Sequence, residues 1–180
     1  SKTYSDKIAG ITGDMSNMET IFSIKEFFEK TIKSKNLDSR HDNYYVNSAD
    51  RMNYIFNTKI EGLEESDLIL LIGTNPRIEA TILNARIRKA YLKNKTKIFS
   101  LGDVGDLTYP YESIDNSTET VKNIVENNHN LSEKIRNSKK PIIIIGQSAL
   151  KLNSSKYIFE EIKNFLYQNN KINEKWNSLN

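Results

Sequence analysis

The sequence predicts an α/β fold, a three-layer α/β/α arrangement around a mainly parallel sheet. Three observations lead there. All-apolar runs of strand length, above all Leu68-Ile69-Leu70-Leu71-Ile72 and Ile142-Ile143-Ile144-Ile145, lack the alternation of a sheet with one wet face, so both of their faces must be covered. Each run closes on small or turn-forming residues. Between the runs lie segments with apolar side chains at helical spacing. Strand and helix thus alternate along the chain, the order of a parallel sheet joined by crossover helices.

The elements follow in order. Lys7 to Ile11 reads as a short buried strand ending in Thr12-Gly13-Asp14. Ser16-Asn17-Met18-Glu19 has the spacing of a capping box and starts a helix to about Lys33, with Met18, Ile21, Phe22, Phe28 and Ile32 turned inward. Residues 36–58 carry weaker signals: Tyr44-Tyr45-Val46 suits a strand, and Arg51 to Asn57 a short helix or an ordered loop. Ile60 to Ser66 makes a helical turn leading to Asp67 and the strand at Leu68–Ile72. Gly73-Thr74-Asn75-Pro76 ends that strand, with Pro well placed at a helix start. The next helix points Ile78, Ile82, Leu83, Ile87, Ala90 and Tyr91 to the core. Lys97 to Leu101 is a strand closed by Gly102-Asp103-Val104-Gly105-Asp106. A helix begins at Asp115–Glu119 and carries Val121, Ile124 and Val125, and a shorter one covers Leu131 to Asn137. Pro141 to Ile145 is a further buried strand. Ser154 or Ser155 caps a last helix with Ile158, Phe159, Ile162, Phe165 and Leu166 inward. The tail from Asn169 is polar apart from Ile172, Trp176 and Leu179.

Composition narrows the chemistry. The 180 residues suit one domain or a piece of a larger one and can bury a core. Hydrophobic residues are 37% and charged residues 27%, and a net charge of +3 is too small to point to nucleic acid. With no cysteine, this stretch holds no disulfide and no cysteine-ligated iron–sulfur cluster, and two histidines, His41 and His129, argue against a zinc site. No apolar run approaches the roughly 20 residues of a membrane span.

Ligands in parallel sheets sit beyond the carboxyl ends of the strands, where three small-residue turns fall. Gly73–Pro76 follows a strand and opens a helix, so its backbone N–H groups could hold a phosphate; Gly, Asn and Pro also simply make such a turn. The turns at 10–14 and 102–106 match neither the G-x-G-x-x-G fingerprint nor a P-loop. Arg77, Arg86, Arg88, Lys89, Lys93, Lys95 and Lys97 cluster around one helix, as on the solvated face of a crossover helix or at an interface with an acidic neighbour. His41 and His129 lie in polar segments and read as surface loop residues. Trp176 reads as an anchor onto structure outside this stretch.

The segment Ile60 to Ala80 contains Glu64-Glu65-Ser66-Asp67, the apolar strand, and Gly73-Thr74-Asn75-Pro76-Arg77-Ile78-Glu79-Ala80. With its continuation Leu83-Asn84-Ala85-Arg86-Ile87-Arg88-Lys89, it resembles the large iron–sulfur subunit of respiratory complex I. Gly73–Pro76 alone would suit any molybdopterin oxidoreductase; Arg77, Glu79, Asn84, Arg86 and Arg88 narrow the resemblance to the complex I branch. Asp50 to Thr58, Asp106 to Tyr111, Lys139 to Leu150 and Lys175 to Asn180 resemble the same family in the same order, and Ile8 to Phe28 does so more loosely.

The resemblance implies a Rossmann-like sheet that is part of the molybdopterin oxidoreductase fold. It implies that residues 1–180 form a single fragment of such a domain, with the cluster-bearing N-terminal region outside it. No cofactor is expected within the fragment, whereas the parent subunit would carry 2Fe-2S and 4Fe-4S clusters elsewhere. The parent complex is an NADH:quinone oxidoreductase that translocates protons; the fragment alone is expected to be inactive, a scaffold of the peripheral arm, with no catalytic residue and no metal ligand. Gly73, Thr74, Asn75 and Pro76 would be the remnant of a pterin or phosphate turn, and Arg77, Glu79, Asn84, Arg86 and Arg88 an interface. Expected partners are the rest of its own subunit and other peripheral-arm subunits, with no nucleic acid and no direct membrane span. The expected location is the cytoplasmic face of a bacterial inner membrane or the mitochondrial matrix side. Two alternatives stand beside this: the pterin-dinucleotide-binding half of an active molybdopterin oxidoreductase, and an unrelated nucleotide-binding module built on residues 10–14 and 102–106.

Overall fold

A computed structural model describes residues 4–13, 15–39 and 44–180. The chain divides into two compact units, Ser1–Asn43 and Tyr44–Asn180.

In the first unit, β1 (Gly10–Ile11) pairs in parallel with β2 (Leu37–Asp38), joined through α1 (Met18–Phe27) and a wide π-type turn at Phe28–Ile32. The helix is capped one residue later than the capping-box spacing predicts: the Asn17 side chain, not Ser16, accepts from the Thr20 amide at 2.9 Å. Lys33 then takes a left-handed conformation that ends the turn. A Cβ on Gly10 would run into the Phe28 ring, so the glycine lets ring and strand touch. The expected inward face of this helix is corrected. Of the five residues expected inward only Phe28 is buried, Ile21 and Ile32 are half-buried, and Met18 and Phe22 are exposed, because a two-stranded sheet offers too little surface to cover an amphipathic helix. Asp14 and His41 lie outside the described residues.

The second unit is the predicted parallel sheet. Its strands are β3 (Leu68–Ile72), β4 (Lys97–Leu101), β5 (Glu112–Ile114) and β6 (Pro141–Ile145), in the order β5-β4-β3-β6 and all parallel. Leu68 is level with Lys97 on one side and Pro141 on the other. Alternate residues of β3 enter two separate cores. Leu68, Leu70 and Ile72 pack with α5 (Thr118–Val125), α6 (Asn130–Asn137) and α8 (Ser155–Gln168), through Val121, Ile124, Ile135 and Ile162. Ile69 and Leu71 face the other way, against Leu63 just after the short helix α2 (Lys59–Gly62), Leu107, Tyr109 and Ile87 of α4 (Thr81–Asn94). This is the three-layer arrangement, and it explains why the run carries no polar alternation.

Two strand-like pieces had no signal in the sequence. β5 is a short edge strand with two exposed residues, too polar to read as a buried run. The tail covers the free edge of β6: Ile143 donates to Ser178 at 2.8 Å, Asn180 to Ile143 at 2.9 Å, and Ile145 to Asn180 at 2.8 Å. Tyr44–Val46 is not a strand. It is held instead by Tyr45, whose amide donates to Leu150 at 2.9 Å and whose hydroxyl donates to Glu160 at 2.6 Å. Trp176 anchors onto its own domain: Nε1 donates to the Pro141 carbonyl at 2.9 Å, the ring packs against the second core, and the Lys140 ammonium lies 5.1 Å from its centroid.

The amino end of the sheet is tied by Asp67. Its carboxylate accepts from the Ser138 hydroxyl, from the Lys139 amide at 2.7 Å and from the Lys140 amide at 3.0 Å. Partial burial pushes this carboxyl up, but these hydrogen bonds, with one from its own backbone amide, together outweigh it and hold it below its ordinary value. A depressed folded value means the stabilisation is fully present above the unfolded carboxyl value, about 3.9, and is lost as pH falls through the folded one. Asp67→Asn should therefore cost about 1–2 kcal/mol at pH 7, and this difference should vanish in strong acid. Urea unfolding at both pH values measures it.

Candidate functional site

Chain order makes the C-terminal ends of β3 and β6 the place to look. From β3 the chain moves outward through β4 to β5, then crosses back to lay β6 on the opposite side of β3. The crevice between β3 and β6 is therefore the topological switch point, where open parallel sheets bind their ligands.

That crevice is filled by the protein's own backbone. Gly73 leaves β3 with φ +61°, and Gly146 follows β6. The Gly146 amide donates to Ile72 at 2.8 Å and the Ser148 amide to Gly73 at 3.2 Å. A Cβ on Gly146 would meet the Gly73 carbonyl, and one on Gly73 would meet Ala149 in the short helix α7 (Gln147–Leu150). Both glycines let two turns close on each other and leave no space between them.

Gly73–Pro76 is equally self-contained. Asn75 caps the short helix α3 (Pro76–Glu79): its Oδ1 accepts from the Arg77 amide at 3.0 Å, and its carbonyl accepts from Ile78 and Glu79. Its Nδ2 donates to Val104 at 2.8 Å, fastening the β3 exit to the loop after β4. Glu79 reaches back, accepting from the Thr74 hydroxyl at 2.9 Å and the Asn75 amide at 2.8 Å. Pro76 is buried at the first helical position, where it costs no hydrogen bond. The helix then breaks at Ala80, and α4 begins.

The five expected interface residues divide. Glu79 serves the turn. Asn84 is 6% exposed and lies off any surface, which corrects that expectation: its Nδ2 donates to the Leu107 carbonyl at 3.0 Å and its Oδ1 accepts from the Tyr109 hydroxyl at 2.7 Å. Burial pushes the Tyr109 phenol well above its ordinary value, so it stays a neutral donor. Arg77 pairs with Asp106 at 2.5 Å and also donates to the Asp106 carbonyl at 2.8 Å. Arg86 pairs with Glu64, which also takes Lys89 at 2.9 Å. Lys89 first and Arg86 second hold the Glu64 carboxyl below its ordinary range. Arg88 alone of the five is exposed with neither an ion pair nor a side-chain hydrogen bond among the described residues.

The other motif segments bind one another in the same way. Asn57 Nδ2 donates to Leu179 at 2.7 Å, and Asn180 Oδ1 accepts from the Thr58 amide at 3.0 Å, joining Asp50–Thr58 to the chain's last residues. The 102–106 loop is built on the Tyr111 hydroxyl, which donates to Asp103 at 2.5 Å and accepts from the Val104 amide at 3.1 Å. His129 caps α6, its Nδ1 accepting from the Leu131 amide at 3.1 Å, a placement its polar surroundings did not disclose. For the Asn57–Leu179 and Thr58–Asn180 pairings the only sequence signal is that each residue belongs to a family segment.

A pterin dinucleotide needs space at the switch point and cations or free amides for its phosphates. Among the described residues the two glycine turns close on each other, and the cavity of about 360 Å³ beside them, between Gly73, Leu101, Ser117 and Ala149, is lined by no cation; the first amides of α3 are used by Asn75, and Asn75's own amide faces a carboxylate. The rim carries Glu79, Asp103 and Asp106, and its Arg77 is already paired. These residues do not fit such a group.

Fold and site together define a doubly wound parallel α/β domain whose two switch-point turns, at Gly73 and Gly146, close on each other. The chain belongs to the molybdopterin oxidoreductase family, which it matches over residues 1–180. It is 37% identical over 98% of its length to the NADH-ubiquinone oxidoreductase 75 kDa subunit of Reclinomonas americana. It is 32% identical over 97% to NADH dehydrogenase [ubiquinone] iron-sulfur protein 1 of Solanum tuberosum, and 30% identical over 97% to an NADH-quinone oxidoreductase subunit of Rickettsia bellii. The chain spans about a quarter of the length of these relatives (27%, 24% and 26%).

Removing the buried amide should be felt throughout this corner. Asn84→Ala leaves the Tyr109 hydroxyl and the Leu107 carbonyl without partners and should cost about 1–3 kcal/mol. Asn84→Asp, which keeps the acceptor but not the donor, should cost less at low pH than at neutral pH. Thermal unfolding of the two variants at each pH tests both.

Proposed function

We propose that the chain is a non-catalytic scaffold portion of the large iron–sulfur subunit of a proton-translocating NADH:quinone oxidoreductase. On this reading residues 1–180 form part of a molybdopterin-oxidoreductase-like region, and the electron-carrying 2Fe-2S and 4Fe-4S clusters lie elsewhere in the parent subunit. The observation that carries it is the use of the motif residues. Asn75, Glu79, Asn84, Arg77 and Arg86 are all spent on bonds that hold β3, α4 and the 102–111 loop together. A catalytic centre keeps polar groups free for substrate; a scaffold spends them on itself. The relatives, all named as proteins of NADH dehydrogenases or NADH oxidoreductases, supply the identity of the assembly.

Its partners are then the rest of its own subunit and other subunits of the peripheral arm. No helix among the described residues is long and apolar enough to cross a membrane. The position we propose is in the peripheral arm, on the bacterial cytoplasmic or mitochondrial matrix side, as the resemblance to complex I subunits implies. The Gly73–Pro76 turn keeps the backbone path of a cofactor-binding turn as an internal brace.

The test is isolation of the native polypeptide with its associated subunits. The preparation should oxidise NADH and release no stoichiometric pterin, molybdenum or tungsten on denaturation, read by mass spectrometry and metal assay. Stoichiometric pterin would make this region half of a second redox site and overturn the reading. Asn84→Ala in the same background should lower the amount of assembled complex and leave NADH turnover per assembled complex unchanged.

A further inference from the structure

Helix α4 has two apolar stripes, and the sheet uses only one. Asn84, Ile87 and Ala90 face the second core. On the opposite side, Ile82, Ala85 and Leu92 share a face by helical spacing, with Lys89, already paired with Glu64, between Ala85 and Leu92. Ile82 is 71% exposed and Leu92 57% exposed; Ile78, on α3 just before the break, is 79% exposed. The sequence led us to expect Ile78 and Ile82 in the core, and the structure turns them away from it. Isolated exposed apolar residues are ordinary, but a row of them backing a buried stripe is the mark of a covered surface.

The charges beside this row define what covers it. Arg88 and Lys93 flank it, and neither forms an ion pair among the described residues. Helix α4 contains no carboxylate, and the nearby Glu79, Glu64 and Asp106 are committed to Thr74 and Asn75, to Arg86 and Lys89, and to Arg77. An uncompensated cationic rim around an apolar row is complementary to apolar side chains flanked by Asp or Glu, and repels a basic surface.

We propose that the outer face of α3 and α4 is the docking site for an acid-flanked apolar helix from another part of the same polypeptide. This rests on the scaffold reading above. The relatives are about four times longer than this chain, and a tethered segment binds at high effective concentration, so a modest apolar row is enough to hold it. A second copy of this chain is disfavoured, because two copies would bring Arg88 and Lys93 against each other.

The test uses the full-length polypeptide in its native assembly. A photo-crosslinking p-benzoylphenylalanine at Ile82 or at Leu92 should capture a peptide of the same polypeptide, outside residues 1–180, that carries Asp or Glu within a helical turn of the crosslinked residue. Capture of a different subunit, of a second copy, of a segment without carboxylates, or of nothing overturns the proposal. Hydroxyl-radical labelling of the unsubstituted protein guards against a misfolded variant: Ile82 and Leu92 should label several-fold more slowly in the assembly than in the urea-unfolded polypeptide, and equal rates overturn it. NADH oxidation by the same preparation reports on the scaffold reading separately. An inactive assembly with the expected crosslink removes that reading and keeps the docking site; an active one without the crosslink does the reverse.

Discussion

Everything in the larger unit is organised by the burial of β3. Its five residues, Leu68 to Ile72, are paired on both edges and covered on both faces. Burying each such side chain stabilises the fold by about 1.5–3 kcal/mol. A strand with no exposed face, however, brings its ends inside as well, and backbone groups there need partners. At the amino end these come from neighbouring turns: Ser66 donates to Leu63 at 2.7 Å, Thr96 donates to Ser66 at 2.7 Å, and Asp67 collects the 138–140 corner. At the carboxyl end they come from Asn75, Glu79 and the Gly146 turn. The motif residues around β3 are therefore the polar counterpart of its hydrophobicity.

This division explains what could be read from the sequence. Burial of an unbroken apolar run is a local property, so β3, β4 and β6 were legible, as were the helices that cover them and the inward faces of α5 and α8. Edge pairing is a matter of position. Glu112–Ile114 and Ser178–Asn180 become strand-like only because β4 and β6 leave edges beside them, and three mostly polar residues do not announce that. Trp176 looked unanchored for the same reason: its partner, the Pro141 carbonyl, is 35 residues away in sequence. Apolar periodicity in α3 and α4 was read as a single inward face, whereas the break at Ala80 and a second stripe split it between core and outside.

The candidate site shows the same limit from the other side. Gly73-Thr74-Asn75-Pro76 was legible as a turn that could hold a phosphate, and its chemistry is compatible with that until the neighbours arrive. Whether its amides are free is decided by Glu79 on the next turn and by Gly146 and Ala149, more than 70 residues on. Likewise the charged residues that marked the family suggested a surface, but charge does not reveal its partner. Glu64 draws Arg86 and Lys89 to one flank of α4, and Asp106 draws Arg77 across to the loop after β4. Partly exposed pairs of this kind add little stability each; their effect is to set where the loop and the helix lie.

A helix with a polar-saturated inner side and an unsaturated outer side separates two kinds of constraint. The inner side of α4 answers to this domain alone: Asn84 is locked between Leu107 and Tyr109, and substituting it disturbs the domain whatever surrounds it. The outer side answers to something else, since nothing within the described residues accounts for Ile82, Leu92 and the uncompensated Arg88. At the carboxyl edge of the sheet the Gly73 and Gly146 turns close on each other and Arg77 is paired with Asp106, so among the described residues no cation there is left for an anion. Two cations without partners among those residues, Arg88 and Lys93, lie instead on the back of the crossover helix beside exposed Ile82 and Leu92, a combination suited to another protein surface and not to a small anionic ligand.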